Sequence, residues 1–280
     1  MREIKVDAVR EALVRSIEKA SFDLGEREER ALEAARLRET KPLARLLLDQ
    51  ILENAKIARA ERRPLCQDTG VAEVFLEIGQ EVRLTGGDLG AAVAEGVREA
   101  YERFHLRMSL VAHPLLRRNT GDNTPPVLHT RIVPGEGLRI RFLAKGGGCE
   151  NMSRLGMLTP AAGRAGVLDF LVETVRLAGG KSCPPLVVGV GLGGTMEKAA
   201  LLAKEALLRP IGVPAPNRED ADLEQEALQR LNATGIGPMG LGGTVTALAV
   251  HVESFPCHIA SLPIAVNLDC HSHRYAEETL

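Results

Sequence analysis

Along the first sixty residues the apolar positions recur at helical spacing. Val6, Val9, Leu13 and Ile17 fall on one face, as an amphipathic helix requires. The charged run "EREERALEAARLRET" predicts a second helix, and "KPLARLLLDQILENAKIARAERR" a third that stops before Pro64. The pattern then changes. "VAEVFLEI" reads as a strand, and "GGDLGAAVAEGVREAYERF" as a helix with Asp88 as its N-cap. "VLHTRIV" and "LRIRFLA" flank "PGEG", which predicts a β-hairpin. "KGGGCENMS" reads as a glycine-rich loop. "PAAGRAGVLDFLVETVRLAGG" reads as a helix with Pro160 near its first turn and a glycine pair as its stop. "PPLVVGVGL" is a short buried strand, followed by a helix, "GGTMEKAALLAKEALLRP", with Thr195 as N-cap. A more polar helix, "NREDADLEQEALQRLNATG", precedes two late strands, "TVTALAVHV" and "IASLPIAVNL", and the polar tail "HSHRYAEETL". The predicted class is mixed α/β (α+β). A helical N-terminal part, 1–62, packs on an α/β body with mixed sheets, 63–280; the boundary is soft, and one continuous domain, 1–280, is the alternative.

Composition narrows the partners. The chain has no Trp, two Tyr and six Phe, so the core rests on aliphatic residues and an aromatic platform for nucleic-acid bases is not expected. A net charge of -2 gives no basic surface for nucleic acid or an acidic membrane. The charged, amphipathic N-terminus is not a secretory signal, and no run approaches the roughly 20 apolar residues of a membrane span. The expected location is the cytoplasm. The five cysteines, Cys66, Cys149, Cys183, Cys257 and Cys270, are odd in number and contain no CxxC. That argues against a disulfide framework or a zinc ribbon.

Several motifs invite chemistry, and each has a plain structural alternative. "GVGLGGT" matches a dinucleotide fingerprint after a strand and before a helix. That fold wants a second parallel strand ending in an acid about 20 residues on, and here the helix runs into "RPIGVPAPNRED" instead. A tight strand-to-helix turn is the alternative. "AKGGGCENMSRLG" places three glycines where backbone N–H groups could receive a carboxylate or phosphate, or where the chain simply turns. It is not a Walker A loop, because Lys145 precedes the glycines. "RRNTGDNTPP" is a polar turn of common composition. His271 and His273 beside Cys270 offer metal-ligand spacing, although a surface tail explains them as well. His258 reads unaided as a core histidine, and each cysteine alone as a buried, unreactive thiol.

Taken together and in order, "PLCQDTG", "LRMSLVAHPLLRRNTGDNTPP", "AKGGGCENMS", "CPPLVVGVGLGGTMEKAALLAKEAL", "GIGPMGLGGT" and "HIASLPIAVNLDC" resemble the iron–sulfur-dependent class I fumarate hydratase family, in its α-subunit form. The resemblance implies a [4Fe–4S] cluster held by Cys66, Cys183 and Cys270, with Cys149 and Cys257 as packed or lining residues. Three thiolates leave one iron open to act as a Lewis acid, where four would close it. It further implies substrate contacts from Gln67 and Asp68, Asp68 also serving as an acid–base group. Arg107 would pair with a carboxylate, as its bidentate fork suits. Gly147 and Gly148 would offer backbone contacts, and His258 would lie near substrate and cluster. Lys145 could assist them, although a lysine ending a strand is more often a solvated charge.

Single-chain members of the family carry a further C-terminal domain that supplies cations and a base. This chain ends ten residues past Cys270, which predicts a separate β-subunit completing the site, together with self-association of the α-subunit. The implied reaction is the reversible hydration of fumarate to malate, a small dicarboxylate. Dehydration of L(+)-tartrate, a non-catalytic iron–sulfur sensor and a nucleotide-binding enzyme are the alternatives.

Overall fold

The computed structural model describes residues 1–280. In chain order the elements are β1 (Arg2–Lys5), α1 (Val6–Phe22), α2 (Glu26–Arg38), α3 (Pro42–Glu61), β2 (Val71–Gly79), β3 (Val82–Thr85), α4 (Leu89–Arg103), β4 (Val127–Val133) and β5 (Leu138–Lys145). There follow α5 (Gly147–Glu150), β6 (Arg154–Leu158), α6 (Gly163–Ala178), β7 (Leu186–Gly193), α7 (Met196–Ala206), α8 (Arg218–Asn232), β8 (Ala247–Phe255), β9 (Leu262–Asp269) and β10 (Tyr275–Thr279). The fold is mixed α/β, with parallel and antiparallel pairing in both four-stranded sheets. The chain divides into two units, neither contiguous in sequence. The first comprises Met1–Gly25, Ala55–Gly147 and Arg274–Leu280, and the second Glu26–Asn54 and Gly148–His273. The helices of 1–62 are thus shared: α1 belongs to the first unit, α2 to the second, and α3 contributes to both. No helix is long and apolar enough to cross a membrane.

In the first unit, the α1 stripe of Val9, Leu13 and Ile17 and the α4 residues Val93, Val97 and Tyr101 share one core with the sheet. Asp88 caps α4 as expected, accepting a hydrogen bond from Ala91 N at 2.7 Å. The sheet order is β10-β5-β2-β4. Alternation along β2 sends Ala72, Val74 and Leu76 into the core and Glu73, Phe75 and Glu77 to the other face, as a pleated strand must. There Glu77 meets Arg141 at 3.1 Å and Arg139 at 3.6 Å, with Arg131 also bonded. Burial would raise its pKa, but the three guanidinium groups hold it below the ordinary glutamate value.

The predicted hairpin is not formed. β4 and β5 both pair with β2, which lies between them, β4 in parallel and β5 antiparallel. The "PGEG" turn does reverse the chain, but it arches over the end of β2. There Gln80 N donates to Val133 O at 2.8 Å, Glu81 N to Gly135 O at 3.0 Å and Gly79 N to Gly137 O at 2.8 Å. The polar tail is likewise not free. β10 pairs with β5 from Tyr275 to Thr279, and Ser272, His273 and Arg274 are buried.

In the second unit the sheet order is β6-β9-β7-β8, with β7 antiparallel to β9 and parallel to β8. Leu186, Val188 and Val190 pack with α6 and α8 residues in one core. The alternate positions of β7, Gly189 and Gly191, lie against α7, and a Cβ on either would come within 2.1 Å of Ala203 O or 2.0 Å of Ala199 O. The glycine fingerprint therefore seats a helix on a strand, and the chain's own carbonyls fill the space a pyrophosphate would need. Thr195 stands at the N-cap position, but its hydroxyl bonds Glu197 Oε1 at 2.7 Å and caps no helix N–H.

Glu39, fully buried, joins the α2–α3 turn to the "GLGGT" loop. Its carboxylate accepts from Thr40 N, Lys41 N, Thr244 N and Thr244 Oγ1 at 2.7–3.1 Å. Burial opposes ionisation, but these donors outweigh it and the pKa falls below the ordinary value. The stabilisation is therefore present above the unfolded-state pKa of about 4.3 and is lost as pH falls through the lower folded-state value. Glu39→Gln should cost about 1–3 kcal/mol at pH 7, read from urea unfolding. The gap between variant and wild type should close with acidification, and a pH-independent gap would contradict this assignment.

Candidate active site

The first unit carries Cys66, Gln67, Asp68, Arg107 and Gly147 on segments that meet. The 66–70 turn is fixed from below by Tyr101, whose buried hydroxyl donates to Thr69 O (2.9 Å) and Gly70 O (3.1 Å). Burial raises the Tyr101 pKa far above the phenol value, so this donor stays protonated. Asn123, fully buried, donates to Gly70 O at 3.2 Å and accepts from Ser109 N at 2.8 Å. Thr69 Oγ1 donates to Arg107 O at 2.8 Å. The "RMSL" and "TGDN" segments are thereby locked onto the turn. The composition that looked like any loop serves as its scaffold.

Asp68 is held at both carboxylate oxygens. Oδ1 accepts from Gly70 N at 3.1 Å, and Oδ2 from Gly147 N at 2.8 Å. The glycine loop does receive a carboxylate on a backbone N–H, and that carboxylate belongs to the chain itself. The guanidinium of Arg274 donates to Asp68 O. A Cβ at Gly146 would lie 3.3 Å from Arg274 Nη2 and 3.4 Å from Asp68 Oδ2, so a bare backbone here lets both groups approach. Cys66 is half-buried with Sγ 3.5 Å from Gln67 Oε1; Gln67 and Arg107 are exposed. Lys145, expected to be solvated, is 1% exposed, because β5 runs alongside β2 to its last residue.

The second unit carries Gly148, Cys183, His258 and Cys270. Cys183 follows the 3-10 turn Gly179–Ser182 and takes a left-handed backbone conformation, φ 53° and ψ 60°. Its carbonyl accepts from His271 Nδ1 at 2.9 Å, which ties it to the residue after Cys270. Cys270 Sγ lies 3.0 Å from Ser272 Oγ. The glycine loop is here a one-turn helix, α5, leading into β6. Cys149 on it is buried and donates to Ser182 O at 3.1 Å. His258 is not a core residue. It is exposed, beside the equally exposed Cys257, on a loop lining a groove of about 460 Å³ with Val167, Leu192 and Leu223. None of the other predicted site residues lines that groove. Cys257, expected as a packed or lining residue, is exposed and lines that groove, because the β8–β9 connection carries it out of the sheet.

None of the five cysteines is in a disulfide. Cys66, in the α3–β2 loop, and Cys183 and Cys270, each directly after an element, are half-buried, whereas Cys149 is core and Cys257 surface. Partly shielded thiols are the reactive kind, and thiols are the donor type that an iron–sulfur cluster takes. Sequence reasoning missed Tyr101, Asn123 and Arg274. The first two lie in segments already singled out, but a buried arginine in a polar tail leaves no local signal.

The profile of the fumarate hydratase (Fumerase) family matches residues 10–279. The chain is 42% identical over 274 residues, 96% of each chain, to a protein of Methanocaldococcus jannaschii named putative L(+)-tartrate dehydratase subunit alpha. It is 34% identical over 239 residues to the L(+)-tartrate dehydratase subunit alpha of Escherichia coli K12, covering 84% of this chain and 78% of that one.

Proposed function

We propose, from the premise that the chain belongs to the fumarate hydratase (Fumerase) family, that it is the α-subunit of a hydro-lyase. Its reaction is the reversible addition of water to fumarate, giving malate. The observation that carries this reading is Asp68, a carboxylate fixed by two backbone donors beside a half-buried thiol. The names of the relatives favour a second substrate, L(+)-tartrate, which differs from malate by one hydroxyl.

The proposed ligand set is Cys66, Cys183 and Cys270, for a [4Fe–4S] cluster. Bound there, the cluster supplies a Lewis acid for the substrate's hydroxyl and adjacent carboxylate. The chain's own residues supply the remaining control. Asp68 exchanges a proton at the substrate oxygen, its carboxylate oriented by Gly70 and Gly147 so that no reorientation accompanies the transfer. Gln67 offers an amide to the substrate, Arg107 pairs with a carboxylate, Gly147 and Gly148 line the approach, and His258 is assigned beside the substrate. The base that removes the carbon-bound proton is assigned to a β-subunit, a partner that the relatives' "subunit alpha" names support. Self-association of this chain and a cytoplasmic location complete the proposal.

Arg107 tests the carboxylate contact. Lysine keeps the charge but cannot reproduce a bidentate fork. Arg107→Lys should lower kcat/KM by roughly tenfold, about 1.4 kcal/mol, with iron content unchanged. Wild-type kinetics would remove Arg107 from the site.

The deciding experiment is anaerobic reconstitution of this chain with its β-subunit, assayed on malate, fumarate and both tartrate enantiomers. Turnover of one pair only by the two-subunit mixture, at fixed stoichiometry, names the substrate. Full turnover by this chain alone refutes the subunit reading, and no turnover of any of the four refutes the hydro-lyase.

A further inference from the structure

Within the second unit another thiol stands beside Cys270. The Sγ atoms of Cys149 and Cys270 and a carboxylate oxygen of Asp269 lie within 4.8 Å of one another. Cys149 and Asp269 are 4% and 2% exposed, and Cys270 is half-buried. Each donor comes from ordered structure: Cys149 from α5, Asp269 from the last position of β9, and Cys270 from the residue after it. Each is also held. Cys149 Sγ donates to Ser182 O, Cys270 Sγ meets Ser272 Oγ, and Asp269 Oδ2 accepts from His273 Nδ1 at 2.8 Å. The last pair is fully inside the protein.

We propose that Cys149, Asp269 and Cys270 form a site for one thiophilic divalent cation, zinc or ferrous iron, and that its occupation excludes the iron–sulfur cluster. Two thiolates and one carboxylate are a donor set for a borderline-soft tetrahedral ion. Metal–ligand bonds of about 2.0–2.3 Å are compatible with donor atoms that lie no more than 4.8 Å apart. A carboxylate held by a histidine hydrogen bond is oriented as a metal ligand should be. The accessible side of Cys270 leaves the fourth position to water. Binding releases the two thiol protons. The site uses Cys149, which the cluster set does not, and needs neither Cys66 nor Cys183. The exclusion follows from Cys270 serving both groups, and so rests on the cluster assignment above, whereas the cation site itself does not.

The test uses the full 280-residue chain, reduced and free of cluster, titrated anaerobically with cobalt(II) as the probe and then with zinc. One equivalent of cobalt should bind with thiolate-to-cobalt charge-transfer bands, and zinc should displace it. Cys149→Ser should weaken binding by more than about 100-fold, since loss of a direct donor exceeds the loss of an outer partner. The double variant Cys66→Ser/Cys183→Ser should bind as wild type does. Unchanged binding in Cys149→Ser, or lost binding in the double variant, overturns the site. The double variant retains Cys149, so the answer stands even if Cys149→Ser does not fold. Zinc-loaded wild type offered iron and sulfide should form less than about a tenth of the cluster formed without zinc, by mass action, with recovery on adding a chelator. Undiminished cluster formation overturns the exclusion alone. A zinc-free chain that binds cobalt yet forms no cluster overturns the cluster assignment and leaves the cation site standing.

Discussion

Replacing Asp68 with Asn should lower kcat/KM of the two-subunit enzyme by about 10²–10⁴-fold, the usual worth of a positioned acid–base group. Asparagine has nearly the same shape but cannot carry the proton. One of its two ends is an NH₂ group, so either Gly70 N or Gly147 N, which now donate at 3.1 and 2.8 Å, loses its acceptor. That loss is worth about 1–3 kcal/mol of stability, too little to unfold a domain of ordinary stability. The two effects separate experimentally. Thermal melting and iron content should change slightly, while kcat should fall with kcat/KM. A variant with wild-type kcat/KM would show that the carboxylate only braces the glycine loop.

Cysteine 183 should show the second large effect. Cys183→Ser should abolish the broad visible absorption of anaerobically reconstituted protein and all detectable turnover. Serine is a hard donor and holds iron–sulfur clusters poorly. A non-glycine residue at φ 53° is uncommon, and such outliers persist where the surroundings over-determine them and cluster at functional sites. Here the over-determination is visible. The 3-10 turn Gly179–Ser182 leads into Cys183, and His271 holds its carbonyl. Cys66→Ser and Cys270→Ser should behave alike, whereas Cys149→Ser and Cys257→Ser should retain the absorption. A normal cluster in all three of the first set would end the ligand assignment.

Much of the fold was legible because its periodicities are local. The 3.6-residue stripe of α1, the alternation of β2 and the Asp88 cap each need only a few neighbours in sequence. Sheet order is not local. The "PGEG" turn sits between β4 and β5 in sequence, yet nothing in either strand says that β2 will lie between them. The strand of "REIK", β1, is too short and polar to stand out, and it exists by pairing with β3. Arg274 and His273 failed for a different reason. Charged residues are read as exposed, and burial becomes affordable only through partners such as Asp68 O and Asp269, which the tail itself does not contain. The candidate residues were named through whole motifs in order, because Asp68 and Gly147 lie 79 positions apart. No spacing rule spans that distance.

The strand β10 has a consequence for how the molecule is made. It comes from the last seven residues, Arg274–Leu280, and completes a sheet whose other strands lie before residue 146. During synthesis, which proceeds at roughly 5–20 residues per second, every residue of the second unit leaves the ribosome before that sheet can close. Until then the outer edge of β5 has no strand beside it, and the Asp68 turn lacks the Arg274 guanidinium. A nonsense codon or protease cut just after His273 would spare the second unit's whole sequence. It would nevertheless strip an edge strand and a buried cation from the first, so intactness of the extreme C-terminus is a sensible quality check on any preparation used for assay.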